Sequence, residues 1–440
     1  MIDRIREKMS RFPEITDWRI QHRKATGYQI YVIGEWLDTV RKVSTDRFQI
    51  TVYCEQNGRI GSTDISVSSH ELQDLEPRLR KAVFVARRIR NPLYHLQGPL
   101  RRYPCVETFD PTLIDNLEEL LFVKLADQVI DSVGQHAGVR LSSAEFFVDA
   151  TDVHFLNSKG VDVAWSETDI MFDGVLLSGD SGHEIELHFE PRARRVQDLP
   201  IPAIVARNAR FVQDSTRAVA PPSGRYPVLL THDALTGIFA PIIQHSSAQY
   251  AYRNISMLTR GEPIGNFRGD RLTLISNGFV PFGLKTRPID SDGLPACRCE
   301  LIREGVFERP WSAGQYAEYL GIEPTGSIAN IEIPIGKRSL DSLRRTDTPV
   351  LEVAAFSAMM PDTISGNFAA EIKLGYLHDK GVCSPVRGGS VSGNLITGFE
   401  HAYFSTEATQ TSYALVLDNF GSYSGPAGIR FETFQISGSG

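Results

Sequence analysis

Apolar and polar residues alternate through much of the first seventy positions. Tyr28-Gln29-Ile30-Tyr31-Val32 runs toward a turn at Gly34-Glu35, and Phe48-Gln49-Ile50-Thr51-Val52 runs toward Asn57-Gly58. A period of two puts one face of each segment in a core, and Asn-Gly favours a tight hairpin because both residues tolerate positive φ. The pattern predicts a β-meander from Gly27 to Val67. It then turns helical: Ser68 and Glu71 fit a capping box, and Leu72, Leu75, Leu79, Val83 and Val85 to Ile89 mark the apolar face of a basic helix that ends near Asn91-Pro92. Pro92, Pro99 and Pro104 break the periodicity. Asp110-Pro111 is an N-cap and first-turn pair for a second helix, with Leu113, Leu117, Leu120, Leu121, Leu125 and Val129 recurring at helical spacing to Val133.

Four or five strands are expected from there to about Glu190, with a turn at Asn157-Ser158-Lys159-Gly160. A helix should follow from Ile201 to Val219, ended by Pro221-Pro222-Ser223-Gly224. Beyond Arg225 the pattern predicts a strand, a helix from about Asp233 to Arg253, a long run of short glycine-punctuated β segments, and a helix at Ala313 to Leu320. The expected organisation is an N-terminal β-meander plus helix (1–95), a linker (96–109), a central α+β domain (110–220) and a β-rich C-terminal domain (225–440). The fold class is α+β, built on antiparallel sheets with a few helices.

Composition narrows the function. Of 440 residues, 42% are apolar and 22% charged, an ordinary globular balance. The formal charge, 46 minus 53 or −7, offers no general attraction to a phosphate backbone, and no run of lysine and arginine is interleaved with aromatics, so nucleic acid is not an expected partner. Five cysteines at positions 54, 105, 297, 299 and 383 suggest reduced thiols of a cytoplasmic chain more than a disulfide framework. Cys297-x-Cys299 has the wrong spacing for a zinc knuckle. Met1 to Phe12 has no apolar core of a signal peptide, and no stretch approaches the roughly 18 apolar residues that span a bilayer.

Two segments invite a search for metal chemistry. His183-Glu184-Ile185-Glu186-Leu187-His188 is a literal His-Glu-x-x-x-His, yet Ile185, Leu187 and Phe189 alternate with Glu184, Glu186, His188 and Glu190. That is the period of a half-buried strand, on which the two histidines face opposite ways and cannot share an ion. The segment from Asp233 to Glu262 offers the opposite problem. Between Ala234 and Gly261 His245 is the only histidine, beside Gln244, and there is no aspartate or glutamate. His245 reads first as a helix histidine satisfied by a neighbour, and Asp233 as a helix cap. Ser246 and Ser247 lack the Gly-x-Ser-x-Gly elbow and oriented acid of a serine nucleophile.

Landmarks spread over roughly residues 25 to 438 resemble the TldD/PmbA (TldE) family, long called modulators of DNA gyrase. They are Asn157-Ser158-Lys159-Gly160, Thr236-Gly237-Ile238-Phe239 through Tyr252-Arg253, Asp290-Ser291-Asp292-Gly293, Leu301-Ile302-Arg303-Glu304-Gly305-Val306, Pro324-Thr325-Gly326, Gly366-Asn367-Phe368, Gly375-Tyr376-Leu377, Pro385-Val386-Arg387-Gly388 and Ser392-Gly393-Asn394-Leu395. The resemblance implies a multi-domain α+β fold and a heterodimeric peptidase. In its catalytic members the helix after the first C-terminal strand supplies two histidines to zinc and a glutamate base, and a late cysteine is the third ligand. Such a site needs about three protein ligands and an open position for water.

Here the corresponding helix carries Gln244, His245, Ser246, Gln249 and Tyr250, and the late segment Gly421-Ser422-Tyr423-Ser424-Gly425 carries no thiol. The resemblance is therefore to the TldE/PmbA branch. It implies a zinc-free subunit with no catalytic or metal residue and no cofactor of its own, whose TldD-like partner holds the zinc while an extended peptide lies across both. Two alternatives stay open: a homodimeric binding or scaffold protein, and an enzyme of other chemistry with a pocket rebuilt around Gln244, His245, Ser246, Gln249 and Tyr252.

Overall fold

A computed structural model describes residues 1–115, 121–180, 184–416 and 419–438. Its largest sheet is antiparallel and runs in the order Asn91–Pro92, Arg59–Ser68, Trp36–Gln56, Asp17–Ile33, Val139–Asn157, Asp162–Ser178, Ile185–Phe189, with Arg192–Ala193 beside Asp162–Ser178. The turns at Gly34-Glu35 and Asn57-Gly58 stand where the pattern placed them, Asn57 and Gly58 at φ of 52° and 69°. The strands are longer than their alternation suggested. Where four or five strands were expected after residue 134 there are four among the described residues, two long ones at Val139–Asn157 and Asp162–Ser178, then Ile185–Phe189 and the two-residue Arg192–Ala193.

Strand Asp17–Ile33 joins the meander to the central region, since Ile20 pairs with both Ile50 and Leu156, and Ile30 with Phe146. Ile20, Tyr28, Ile30 and Val32 share one face because they are an even number of residues apart. Two helical layers cover that face. At one end Ile5, Met9, Leu75, Leu79 and Val83 pack on Ile20, Phe48, Ile50 and Val52. At the other, Leu125, Val129, Ile204, Val205 and Val212 pack on Ile30, Val32, Phe146 and Val148. The expected capping box forms, with the Ser68 amide donating to Glu71 Oε2 at 3.0 Å. It heads a 3-10 turn, Ser69–Asp74, and the helix proper is Leu75–Ala86, so Val85 and Ile89, expected on its buried face, are exposed. Gly61 permits the close approach of this helix end, because a Cβ there would lie 1.9 Å from the Ala86 carbonyl oxygen.

The opposite face meets the C-terminal region. Phe155 and Val163 pack against Val161 and Ile289. Arg194, 3% exposed, donates to the carbonyls of Thr108 and Thr168 and to those of Gly283 and Leu284 at 3.0 to 3.3 Å.

The C-terminal region holds two more sheets. One runs Val306–Phe307, Arg298–Arg303, Leu274–Asn277, Asn330–Glu332, Asn419–Pro426, Ala408–Val416. The other runs Val350–Phe356, Gly224–Thr231, Gly428–Ser437, Ser390–Asn394, Asn367–Asp379, Val382–Val386. It closes on itself, because Val350–Phe356 also pairs with Asn367–Asp379. Between the two lies one core, in which Ile238, Phe239, Ile242 and Ile243 meet Leu274, Leu301, Ile331, Phe399 and Phe431. That core fixes the segment from Asp233 to Arg253.

Candidate functional site

The stretch expected to be one helix from Asp233 to Arg253 is three short pieces: a 3-10 turn at His232–Leu235 and helices at Ala240–His245 and Ala248–Tyr252. The breaks have local causes. Gly237 takes a φ of 83°, outside the helical region. Pro241 has no N–H to donate, and it sits in the first turn of the middle helix, where none is required. Ser247 is extended, and its Oγ accepts the Tyr250 amide at 3.1 Å, opening the last helix. Asp233 does not cap a helix as expected. Thr231 precedes the turn with no side-chain cap, and Asp233 is exposed, with its carbonyl accepting from the Thr236 amide at 3.1 Å.

His245 is buried, and backbone groups occupy both its nitrogens. The Met257 amide donates to Nδ1 at 3.1 Å, so Nδ1 is an acceptor and the ring proton sits on Nε2, which donates to the Ile364 carbonyl at 2.8 Å. Burial pushes its pKa below the ordinary histidine value, and the bond to Ile364 only partly opposes this. The neutral ring thus staples two loops, and neither nitrogen has a lone pair directed at open space. Tyr250 lies edge-on to it at 5.5 Å, with its hydroxyl 3.2 Å from Thr363 Oγ1. Ser246 Oγ donates to the Ile242 carbonyl at 2.8 Å and Ser247 Oγ to the Gln244 carbonyl at 2.6 Å. Gln244 and Gln249 are half-buried. The five residues are neighbours, but the serine hydroxyls are turned into helix backbone and that of Tyr250 to Thr363 rather than toward the imidazole.

A pH dependence follows from the His245 geometry. A histidine with a depressed folded-state pKa stabilises the native state fully above about pH 6.5, its unfolded value, and loses that contribution as the pH falls. The stability difference between the natural chain and His245→Gln should therefore shrink between about pH 7.5 and pH 5. Urea denaturation across that range checks it, and a difference independent of pH would contradict the neutral buried ring.

The strand carrying Gly421 to Gly425 runs beside this segment. Tyr423 is buried with its ring 6.0 Å from that of Phe239, and Ser422 Oγ accepts the Leu284 amide at 3.0 Å. Cys297 donates its thiol to the Thr325 carbonyl at 2.8 Å and Cys299 is buried on its strand.

Other landmark residues are structural ties. Asp290 Oδ1 accepts the amides of Asp292 and Leu294, and its Oδ2 accepts that of Ser327, bringing two of the sequence landmarks together. Asn157 Oδ1 accepts the amides of Lys159 and Val161, closing its turn. The first histidine of the His183 to His188 segment lies outside the described residues. The strand Ile185–Phe189 alternates as expected, with Leu187 and Phe189 buried and His188 exposed. Among the described residues Asp173, His188 and Glu190 bring potential ligand atoms within 4.8 Å of one another. His188 is bonded to Asp173 at 3.0 Å, and Arg192 Nε holds Glu190 at 2.9 Å.

Sequence reasoning missed a cleft around Glu352, whose lining is drawn from Arg210 to Cys383 and leaves no local motif. It also missed Arg194, which carried no signal beyond being one of many arginines.

Comparison with known proteins is consistent with this arrangement. Residues 223–438 match the PmbA/TldA metallopeptidase C-terminal domain. A Metalloprotease TldD homolog of Haemophilus influenzae is 24% identical over 193 residues, 41% of this chain and 40% of that protein. Metalloprotease PmbA of Escherichia coli O157:H7 is 22% identical over 247 residues, 55% of this chain and 54% of that one. The matched stretches thus span about half the length of these curated relatives or less. The crystal structure of TldE from Thermococcus kodakarensis superimposes with a TM-score of 0.81 over 100% of both chains at 20% identity, so the whole fold is shared. Residues 223–438 thus form a PmbA/TldA metallopeptidase C-terminal domain, in a chain similar to TldD and PmbA proteins and with the fold of TldE.

Proposed function

We propose that this chain is the zinc-free, TldE-like subunit of a cytoplasmic heterodimeric metallopeptidase that trims peptides or removes their leader segments. A TldD-like partner supplies zinc and the general base, and this chain completes the chamber in which an extended peptide lies. The observation that carries the reading is His245: the one histidine of the segment gives both nitrogens to backbone, and no carboxylate stands between Ala234 and Gly261. A zinc ion needs about three ligands, and hydrolysis needs a base beside the bound water, so the residues present do not fit the metal.

Two features support the rest of the reading. The loops that hold His245 expose Met257, Met360 and Ile364, each more than half accessible, an apolar surface suited to a partner. The six-stranded sheet ends on Ala408–Val416, an edge along which an extended peptide can bond through its main chain with little demand on sequence. No helix among the described residues is long and apolar enough to cross a membrane.

Incubating a leader-bearing peptide with this chain, with a zinc-bearing TldD-like partner, and with both tests the proposal. Cleavage is expected only in the mixture, which should co-purify as a heterodimer burying over about 2,000 Å². Cleavage by this chain alone, surviving a chelator, would favour a rebuilt-pocket enzyme. A stable homodimer that ignores the partner would favour a scaffold.

A further inference from the structure

The cleft around Glu352, of about 730 Å³, opens where helix Ile201–Thr216 meets the closed C-terminal sheet. At its base Glu352, 4% exposed, accepts from Arg344 Nε at 2.8 Å and Nη2 at 2.9 Å, from His378 Nε2 at 2.8 Å and from Thr231 Oγ1 at 3.2 Å. Burial alone would raise its pKa, but the bonds from His378 and Arg344 hold it at about 2. An ionised carboxylate only accepts, so His378 carries its proton on Nε2, and its Nδ1 has no partner among the described residues.

The other carboxylates of the wall are also matched. Asp214 accepts the Tyr376 hydroxyl at 2.9 Å and pairs with Arg217, and Asp341 pairs with Arg345 at 3.3 Å. The cations are not all matched. Arg210 and Lys380 line the cleft, both exposed, and neither has a carboxylate partner among the described residues. Three residues before Arg210 on the same helix, Arg207 buries an Nε–H with no acceptor, a group whose desolvation is costly unless something fills it. His232, held at a φ of 49°, lines the same cleft. The cleft therefore has satisfied anions and surplus cations.

We propose that this cleft is an oxyanion-binding site, which takes a carboxylate or phosphate group between Arg344 at its base and Arg210 and Lys380 at its mouth. Glu352 acts as a positioning residue: it fixes the Arg344 guanidinium through Nε and Nη2, so that Nη1 is oriented before the anion arrives. The site is independent of the His245 segment and does not rest on the peptidase reading. Phosphate and the free carboxylate of a chain terminus share the chemistry, and calorimetry separates them.

The full chain would be titrated at constant ionic strength with inorganic phosphate, with acetyl-triglycine and with acetyl-triglycine amide. Saturable binding of phosphate, or of the free acid but not its amide, is expected. The double variant Arg210→Ala/Lys380→Ala, two exposed positions that leave the core untouched, should weaken binding about tenfold or more. Arg101→Ala, exposed and outside the cleft, should not. Binding of phosphate alone assigns the source as a phosphate, and binding of the acid alone assigns a chain terminus. Absence of saturable binding by either probe, or binding unchanged in the double variant, overturns the site.

Discussion

Arg194→Met should destabilise the protein by about 3 kcal/mol or more, the scale seen when one partner of a buried charged network is removed. The guanidinium is nearly inaccessible and donates to four carbonyls, two in the central region and two at Gly283 and Leu284, while its Nη2 lies 3.6 Å from Glu167. Burial pulls its pKa down, yet Glu167 and Asp169 oppose this, and guanidinium remains charged at any relevant pH. Methionine fills much of the volume but removes the guanidinium donor from all four carbonyls, of which those of Thr108 and Gly283 keep only the Thr168 and Thr286 amides. Glu167 is not left bare, because Arg23 at 2.5 Å and Arg287 at 4.0 Å remain. Most of the loss should therefore come from the carbonyls rather than from a stranded charge. Arg194→Lys separates the two causes: it keeps the charge but not the planar fork, and should recover only part of the loss. Urea denaturation of both variants is the measurement, and a methionine variant within about 1 kcal/mol of the natural chain would contradict this role for Arg194.

What the sequence revealed and what it hid follow the range of the interactions. Residues that act within a few positions were legible. Asn57-Gly58 made its hairpin, Ser68 and Glu71 their capping box, and Asp110 its N-cap bond to the Thr112 amide at 3.0 Å. The lack of carboxylates around His245 was also visible by inspection. Long strands were not, because the alternation within Trp36–Gln56 is interrupted by polar residues at 38, 39, 41 and 42, and the pairing that holds them comes from a neighbouring strand. The single expected helix failed at Gly237, Pro241 and Ser247, where local chemistry was readable but was outweighed by the apolar spacing. The loops that satisfy His245 arrive from Met257 and Ile364, the latter more than a hundred residues away, so no local pattern could name its partners. The Glu352 cleft is hidden for the same reason: its walls are assembled from separate elements by the closure of a sheet.

The second large effect concerns metal and His245. His245→Ala leaves the Met257 amide and the Ile364 carbonyl without their partner, and each unsatisfied buried group costs about 1 to 3 kcal/mol. The variant should lose stability and loosen both loops, while its metal content stays as low as that of the natural chain. A ligand histidine would behave in the opposite way, because its loss would release the ion along with the stability the ion confers.

Elemental analysis of the purified chain, alongside His245→Ala, tests the zinc-free reading most directly. The geometry predicts far less than one zinc per chain in both proteins, even after incubation with zinc and removal of excess. Stoichiometric zinc in the natural chain that disappears in His245→Ala would contradict it.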